Sequence, residues 1–264
     1  MRYRLISMDF DGTLLTSDKK ITERTKETIQ KCKDNNYIIV GVTARNLSSV
    51  KRVSNLNMFD YLILNNGCYL YDVQNNNGNH IGCISKENAK KITNYFKNIA
   101  KEINYCATEK YYIYKNKTHK PIFKTVNNIE EVKEPICRIN IFMNSNEDIM
   151  KYQNYIDKNF NTVDSIIMQD TDNDSNEKWI TLNPKGLNKL STLKNLCQKL
   201  NINTTEVIFF GDGLNDLELI QGVGLGVAMS NAVPEVKKKA KMITLSNNEE
   251  GIAKFLEKNI NSNE

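Results

Sequence analysis

The 264-residue sequence predicts an α/β fold, a parallel-sheet core interrupted by an α+β insert, and three observations carry that prediction. Near-continuous apolar runs at "YRLISMDF", "YIIVGVTA", "YLILNN", "EVIFFGD" and "LGVAM" read as strands buried on both faces. Helical patterns such as "TERTKETIQKCKDN" and "LNKLSTLKNLCQKL" separate several of them, which is how a parallel sheet acquires its helical layers. The alternation then breaks in the middle of the chain.

From about Cys83 to about Pro184 the order is a helix ("KENAKKITNYFKNIAKEI"), two strands ("NYCAT", "YYIYK"), a polar stretch, a strand ("CRINIFM"), a helix ("EDIMKYQNYIDKNF") and two more strands ("SIIMQ", "KWITL"). We therefore expect a core of residues 1–82 and 185–264 and a second domain of residues 83–184 inserted into it. The polar tracts "VQNNNGNH" and "QDTDNDSNE" read as hairpin loops rather than linkers. "GVGLG" reads as a helix end and strand start, not as a dinucleotide fingerprint.

Composition excludes several functional classes. The 36 Lys+Arg residues exceed the 31 Asp+Glu by five, but the excess is spread through mixed-sign stretches, so no nucleic-acid partner is expected. The aromatic-basic run "YYIYKNKTHKPIFK" suits single-stranded nucleic acid or, equally, strands with exposed lysines. No segment approaches the roughly 18 consecutive apolar residues of a membrane span. The six cysteines, Cys32, Cys68, Cys83, Cys106, Cys137 and Cys197, form no C-x-x-C and read as free, buried thiols of a reducing compartment, which points to the cytoplasm. Both histidines, His80 and His119, fall in polar segments and suggest no zinc cluster. A G-x-S-x-G elbow and a phosphate-binding G-x-x-x-x-G-K-[ST] loop are absent from the sequence.

The strand ends carry the chemistry. "ISMDFDG" closes the first strand with Asp9 and Asp11, and "FFGDGLND" closes a later one with Asp212, with Asp216 one turn further on. Ligand sites of parallel sheets form at the carboxyl ends of strands, so these acids converge on one place. Four carboxylates in one pocket demand a cation, and magnesium suits hard oxygen ligands beside a phosphate. "VGVTARN" adds Thr43 and Arg45, "LNNGC" adds Asn66 and Gly67, and the helix beginning near Asn188 in "NPKGLNKLSTL" points its N-terminus inward, as an anion site requires. Taken singly, each feature has a plainer reading. Asp11-Gly12 and Asp212-Gly213 are turn signals, Thr43 can cap a helix, Asn66-Gly67 is a hairpin turn, and Asp216 favours a helix N-terminus. Their joint occurrence at successive strand ends favours the phosphoryl site.

The pattern closely resembles the haloacid dehalogenase superfamily, in particular its Cof-like phosphatases. "DFDGTLL", "TAR", Lys189 in "PKGLNK" and "GDGLND" match its four motifs in order, and "GVAMSNAVPEVKKKA" and "EEGIAKFL" match its closing segments. Ala44 and Leu190 stand where that subfamily usually has glycine. The resemblance implies a Rossmann-like core with an inserted α+β cap that closes over the substrate. It implies Asp9 as nucleophile forming an aspartyl phosphate and Asp11 as general acid, then base. Asp9, Asp212, Asp216 and the Asp11 backbone carbonyl would serve a Mg2+ site. Thr43 and Lys189 would hold phosphate oxygens, with Arg45, Asn66, Gly67 and Asn215 contributing to substrate binding. Lys189, in the first turn of its helix, is expected to face the phosphate, and Lys185, in a Pro-Lys-Gly turn, to face solvent. The implied activity is magnesium-dependent hydrolysis of small phosphorylated metabolites such as sugar phosphates, nucleotides or phosphorylated cofactors, by a cytoplasmic monomer or weak homodimer without nucleic-acid or membrane partners. A phosphotransferase or phosphomutase on the same fold, or a non-catalytic phospho-ligand binder, is the alternative.

Overall fold

The computed structural model describes residues 3–114, 123–144, 148–169 and 177–259. His119, much of "YYIYKNKTHKPIFK" and most of "QDTDNDSNE" lie outside the described residues. Contacts divide the chain into two compact units, one of Met1–Arg45, Ser49–Asn79 and Lys189–Glu264, the other of Asn46–Ser48 and His80–Asn188.

The first unit opens with β1 (Leu5–Met8), all four residues of which are buried. α1 (Glu23–Asp34) follows, its N-terminus capped by the Thr22 hydroxyl, which accepts from the Thr25 amide and so satisfies one of the helix's unpaired donors. Then come β2 (Ile38–Val42), α2 (Leu47–Val53), β3 (Tyr61–Leu64), β4 (Tyr69–Asp72) and β5 (Asn77–His80). In the second unit, α3 (Lys86–Phe96) is capped by Ser85 and precedes β6 (Glu102–Ala107), β7 (Tyr111–Tyr114), β8 (Phe123–Val126) and β9 (Ile136–Phe142). The unit is completed by α4 (Ile149–Asn159), capped by Asp148, with β10 (Val163–Gln169) and β11 (Lys178–Pro184). The chain returns to the first unit through α5 (Lys189–Lys199), β12 (Val207–Gly211), α6 (Leu217–Gly222), β13 (Leu225–Ala228), α7 (Pro234–Lys239), β14 (Met242–Ile243) and α8 (Gly251–Asn259).

Eight strands of the first sheet run in the order β14-β13-β12-β1-β2-β3-β4-β5. Those from β14 to β3 are parallel, and β4 turns back antiparallel on β3. β1 lies between β12 and β2, with Met8 level with Phe210 and Gly41, so the residues that follow these three strands emerge side by side. The fold is thus the α/β parallel-sheet architecture expected. The second unit has a six-stranded sheet, β10-β11-β9-β6-β7-β8, antiparallel except for the β7–β8 pair. Its own core gathers Ile92, Phe96, Tyr105, Ile139, Ile141 and Ile180 among others.

Several elements differ from expectation. The helix expected through Ile103 stops at Phe96, because Ile103, Tyr105 and Ala107 enter a strand paired with β9. β5 occupies "NGNH", expected as a loop, and β8 lies in the stretch expected to be merely polar. Both are short, largely exposed strands whose polar side chains conceal the period of two. Cys83 is exposed, against the expectation of six buried thiols. The adjacent Ile84 donates its amide to the Ile136 carbonyl at 2.8 Å and turns inward, which leaves Cys83 facing out.

Close approach of α6 to β13 demands glycine at position 226, where a Cβ would stand 2.0 Å from the Ile220 carbonyl oxygen. Gly226→Ala should therefore cost about 1–3 kcal/mol of stability through forced backbone displacement. Thermal unfolding measures the loss, and an unchanged midpoint would show that α6 yields freely.

Candidate active site

β1 leads directly into the loop that carries the first acids. Asp9 remains held to the sheet, its amide donating to the Phe210 carbonyl at 3.0 Å, and it is 6 % exposed. The chain then coils tightly: Leu14 N–H donates to the Asp9 carbonyl and Leu15 N–H to that of Phe10. Gly12 has φ +76°, and a Cβ there would lie 2.2 Å from Asp212 Oδ2. Glycine is required twice over, for the left-handed backbone and for the approach of that carboxylate. Asn231 fixes the loop from outside, its side-chain amide donating to the Gly12 carbonyl at 2.8 Å.

Asp212 follows β12, and Asp216 lies in the 3-10 turn Leu214–Asp216 that leads into α6. Asp216 is fully buried, and its Oδ2 accepts from the amides of Asp212 and Gly213, each at 3.1 Å. One carboxylate thus braces the loop that presents the other.

Lys189, the first residue of α5, is 3 % exposed and donates to Asp9 Oδ1 and to Asp216 Oδ1, both at 2.7 Å. Lys185, by contrast, is exposed and pairs with Asp164 at 2.5 Å. α5 is anchored by Thr192, whose hydroxyl donates to the Gly67 carbonyl at 2.7 Å. Leu190 sits over Gly222, where a Cβ would come within 2.7 Å of its methyl, so its side chain is spent on packing.

Asp9, Asp212 and Asp216 offer carboxylate oxygens within 4.8 Å of one another. Three carboxylates face one ammonium, a deficit that one divalent cation would cancel. Burial pushes the Asp9 carboxyl well above its ordinary range; the Lys189 ammonium opposes this, and Asp216 and Asp212 add to it. Burial and then the Asp216 charge raise Asp212 to about 7, against the opposing hydrogen bond from Thr13, whose hydroxyl donates to Asp212 Oδ1 at 2.5 Å. Burial alone would lower the Lys189 ammonium, but its two carboxylate partners raise it. An all-oxygen, electron-rich set short of positive charge fits magnesium.

Asp11 occupies different surroundings. Arg45 grips it with two hydrogen bonds, Nε to Oδ2 at 2.6 Å and a terminal nitrogen to Oδ1 at 2.7 Å, and Lys19 Nζ adds a third at 3.1 Å. Burial raises this carboxyl, but hydrogen bonding to Arg45 and Lys19, and their charges, outweigh it and hold it below its usual range. Thr43, 1 % exposed, accepts the Arg45 amide on its hydroxyl at 3.1 Å, and its carbonyl accepts the Asn66 amide at 3.1 Å. Asn66 and Gly67, with φ of 55° and 104°, make the tight turn between β3 and β4. Among the described residues no hydrogen bond links the Asn215 side chain to the carboxylates.

Of the expected site residues, Asp9, Asp212, Asp216 and Lys189 form one cluster; Asp11 and Arg45 form a second pair; Thr43, Asn66 and Gly67 are tied into the adjoining turns. Thr13, Lys19 and Asn231 were not anticipated. Thr13 lies inside "DFDGTLL" and could have been noticed there, whereas Lys19 and Asn231 are brought in only by loop geometry.

A family model described as haloacid dehalogenase-like hydrolase matches residues 6–256. The stress response protein YhaX of Bacillus subtilis is 28 % identical over 96 % of this chain and 92 % of its own length. The 5-amino-6-(5-phospho-D-ribitylamino)uracil phosphatase YitU of the same species is 26 % identical, covering 96 % of each chain. The crystal structure of TM0651 from Thermotoga maritima superposes with a TM-score of 0.78 at 26 % identity, covering 97 % of each chain.

The raised Asp212 carboxyl has a measurable consequence. A carboxyl raised from 3.8 to about 7 on folding disfavours the folded state fully above pH 7 and not at all well below pH 4. In metal-free buffer, Asp212→Asn should therefore raise the unfolding temperature at pH 8, with the gain shrinking steadily toward pH 4. A gain independent of pH, or a loss at pH 8, would contradict the buried-charge account.

Proposed function

Because the chain belongs to the haloacid dehalogenase-like hydrolases, we propose that it is a magnesium-dependent phosphatase of small phosphorylated metabolites, acting through an aspartyl phosphate on Asp9. The observation that carries this reading is the buried Lys189 bridge between Asp9 and Asp216. It holds one oxygen of Asp9 and leaves Oδ2, which accepts no hydrogen bond among the described residues, for phosphorus. The relative YitU, named for a phosphorylated ribityl compound, supports small phosphate monoesters as the substrate class.

Asp9, Asp212 and Asp216, with the Asp11 carbonyl, would hold Mg2+ directly or through its waters. When bound, the ion neutralises charge on the transferring phosphoryl group. In the first step an Asp9 oxygen bonds to phosphorus as the ester oxygen leaves, and Asp11 gives that oxygen its proton. A water then attacks phosphorus while Asp11 takes its proton, which frees inorganic phosphate and regenerates Asp9. Thr43 and Lys189 steady the phosphate oxygens, and Arg45, Asn66, Gly67 and Asn215 complete the substrate's surroundings. The inserted residues 83–184 take the part of a cap and choose among phosphate esters.

Phosphate release from a panel of sugar phosphates, nucleotides and phosphorylated cofactors tests this. Wild-type protein should release phosphate from at least one class only when magnesium is present, and Asp9→Asn should retain less than about a tenth of that rate. Transfer to a second alcohol without net phosphate release would favour a phosphotransferase instead.

A second expectation concerns Arg45, which holds the Asp11 carboxyl down. Since the leaving oxygen needs protonated Asp11, kcat/KM falls as pH rises through the Asp11 pKa of the free enzyme. Removing the arginine raises that pKa, so Arg45→Ala should carry the falling limb to higher pH whatever happens to the absolute rate. A limb left in place would separate Asp11 from the protonation step.

A further inference from the structure

His80, Cys83 and Cys137 converge within the second unit, well separated in sequence from the acids of the proposed active site. One atom from each, a ring nitrogen and two sulfurs, lies within 4.8 Å of the others. His80, expected to offer no zinc cluster, thus lies beside two sulfurs, while His119 lies outside the described residues. Two features build it. The spacing His80-Ile81-Gly82-Cys83 brings a histidine and a cysteine together in one short bend, with His80 Nδ1 at 3.4 Å from Cys83 Sγ. The antiparallel bridge between Ile84 and Ile136 then sets Cys83 opposite Cys137, the residue skipped where β9 shifts register against β6.

We propose that His80, Cys83 and Cys137 form a zinc site, independent of the magnesium chemistry, with Nδ1 and two thiolates as protein ligands and water completing a tetrahedron. The distances fit. Zinc–nitrogen and zinc–sulfur bonds of about 2.05 and 2.3 Å at the tetrahedral angle separate the two ligand atoms by about 3.6 Å, close to the 3.4 Å found. The ring is also oriented as a zinc ligand's usually is. His80 Nε2 lies 3.1 Å from the Thr108 hydroxyl, which fixes the imidazole and directs Nδ1 toward the sulfurs. Two soft thiolates select zinc over magnesium, so the carboxylate cluster and this site would not compete for the same ion. Cys83 and His80 are exposed, so two of the three ligands are reachable from solvent, while Cys137 is buried.

Zinc titration of the full chain in reducing buffer, against a chromophoric chelator, gives the affinity. Cobalt(II) substitution reports thiolate ligation by its charge-transfer absorption. Wild-type protein should bind one equivalent with a Kd below about 1 µM, and His80→Ala and Cys83→Ser should each weaken binding at least about tenfold. Cys83→Ser should also lower the cobalt charge-transfer band. Both replaced side chains are exposed, so loss of the fold is not expected to obscure the result. Asp9→Asn should leave zinc affinity and the cobalt spectrum as they are, which separates this site from the carboxylates. No zinc binding, equal affinity in the variants, dependence on Asp9, or a Cys83–Cys137 disulfide that persists in reducing buffer would each overturn the proposal.

Discussion

The buried ammonium of Lys189 is the contact on which the arrangement of the first unit's acids depends. It reaches Asp9 from one strand end and Asp216 from another, and Asp216 in turn accepts the amides that shape the loop of Asp212. Breaking such a buried pair on one side leaves uncompensated charge, which is far more costly than the net worth of the pair. Thr192, one turn along the same helix, secures α5 to the carbonyl of Gly67 and so keeps the lysine at its post. Position and charge are supplied by one helix start.

The two aspartates at the mouth of β1 are driven in opposite directions by their neighbours. Burial and adjacent carboxylates push Asp9 toward its neutral form, while Arg45 and Lys19 hold Asp11 in its charged form. A nucleophile needs its ionised form and a proton donor its protonated form, so each group is pushed away from the state its proposed task needs. The ligands of the proposed reaction would oppose both shifts. A divalent cation beside Asp9 would favour its carboxylate, and a phosphate that competed for Arg45 would relieve Asp11.

Much of this was legible in the sequence because buried parallel strands are written as apolar runs and their ends as abrupt polar punctuation. β1, β2, β3, β12 and β13 all show it, and the acids at the ends of β1 and β12 stood out for the same reason. Other parts were silent. β5 and β8 are short and polar, and they exist because a neighbouring strand offers hydrogen bonds rather than because their residues alternate. The Arg45–Asp11 grip could not be read, since 34 positions separate the partners and either residue alone suits several roles. Cys83 and Cys137 carried no spacing signal either, because a cross-strand bridge 52 residues apart brings them together.

Asn231 reaches back across 219 residues to the Gly12 carbonyl, and Asn247 across 232 residues to that of Leu15. A nascent chain therefore synthesises the loop that follows β1 well before the groups that hold it. β1, flanked by β2 and β12, lacks one neighbour until the chain has passed position 207. The residues between 80 and 188 face no such delay: they are contiguous and possess their own apolar core. Connectivity thus assigns an order of assembly in which the middle of the chain consolidates while its beginning waits, with "YRLISMDF" in the care of whatever shields an unpaired apolar strand on or near the ribosome.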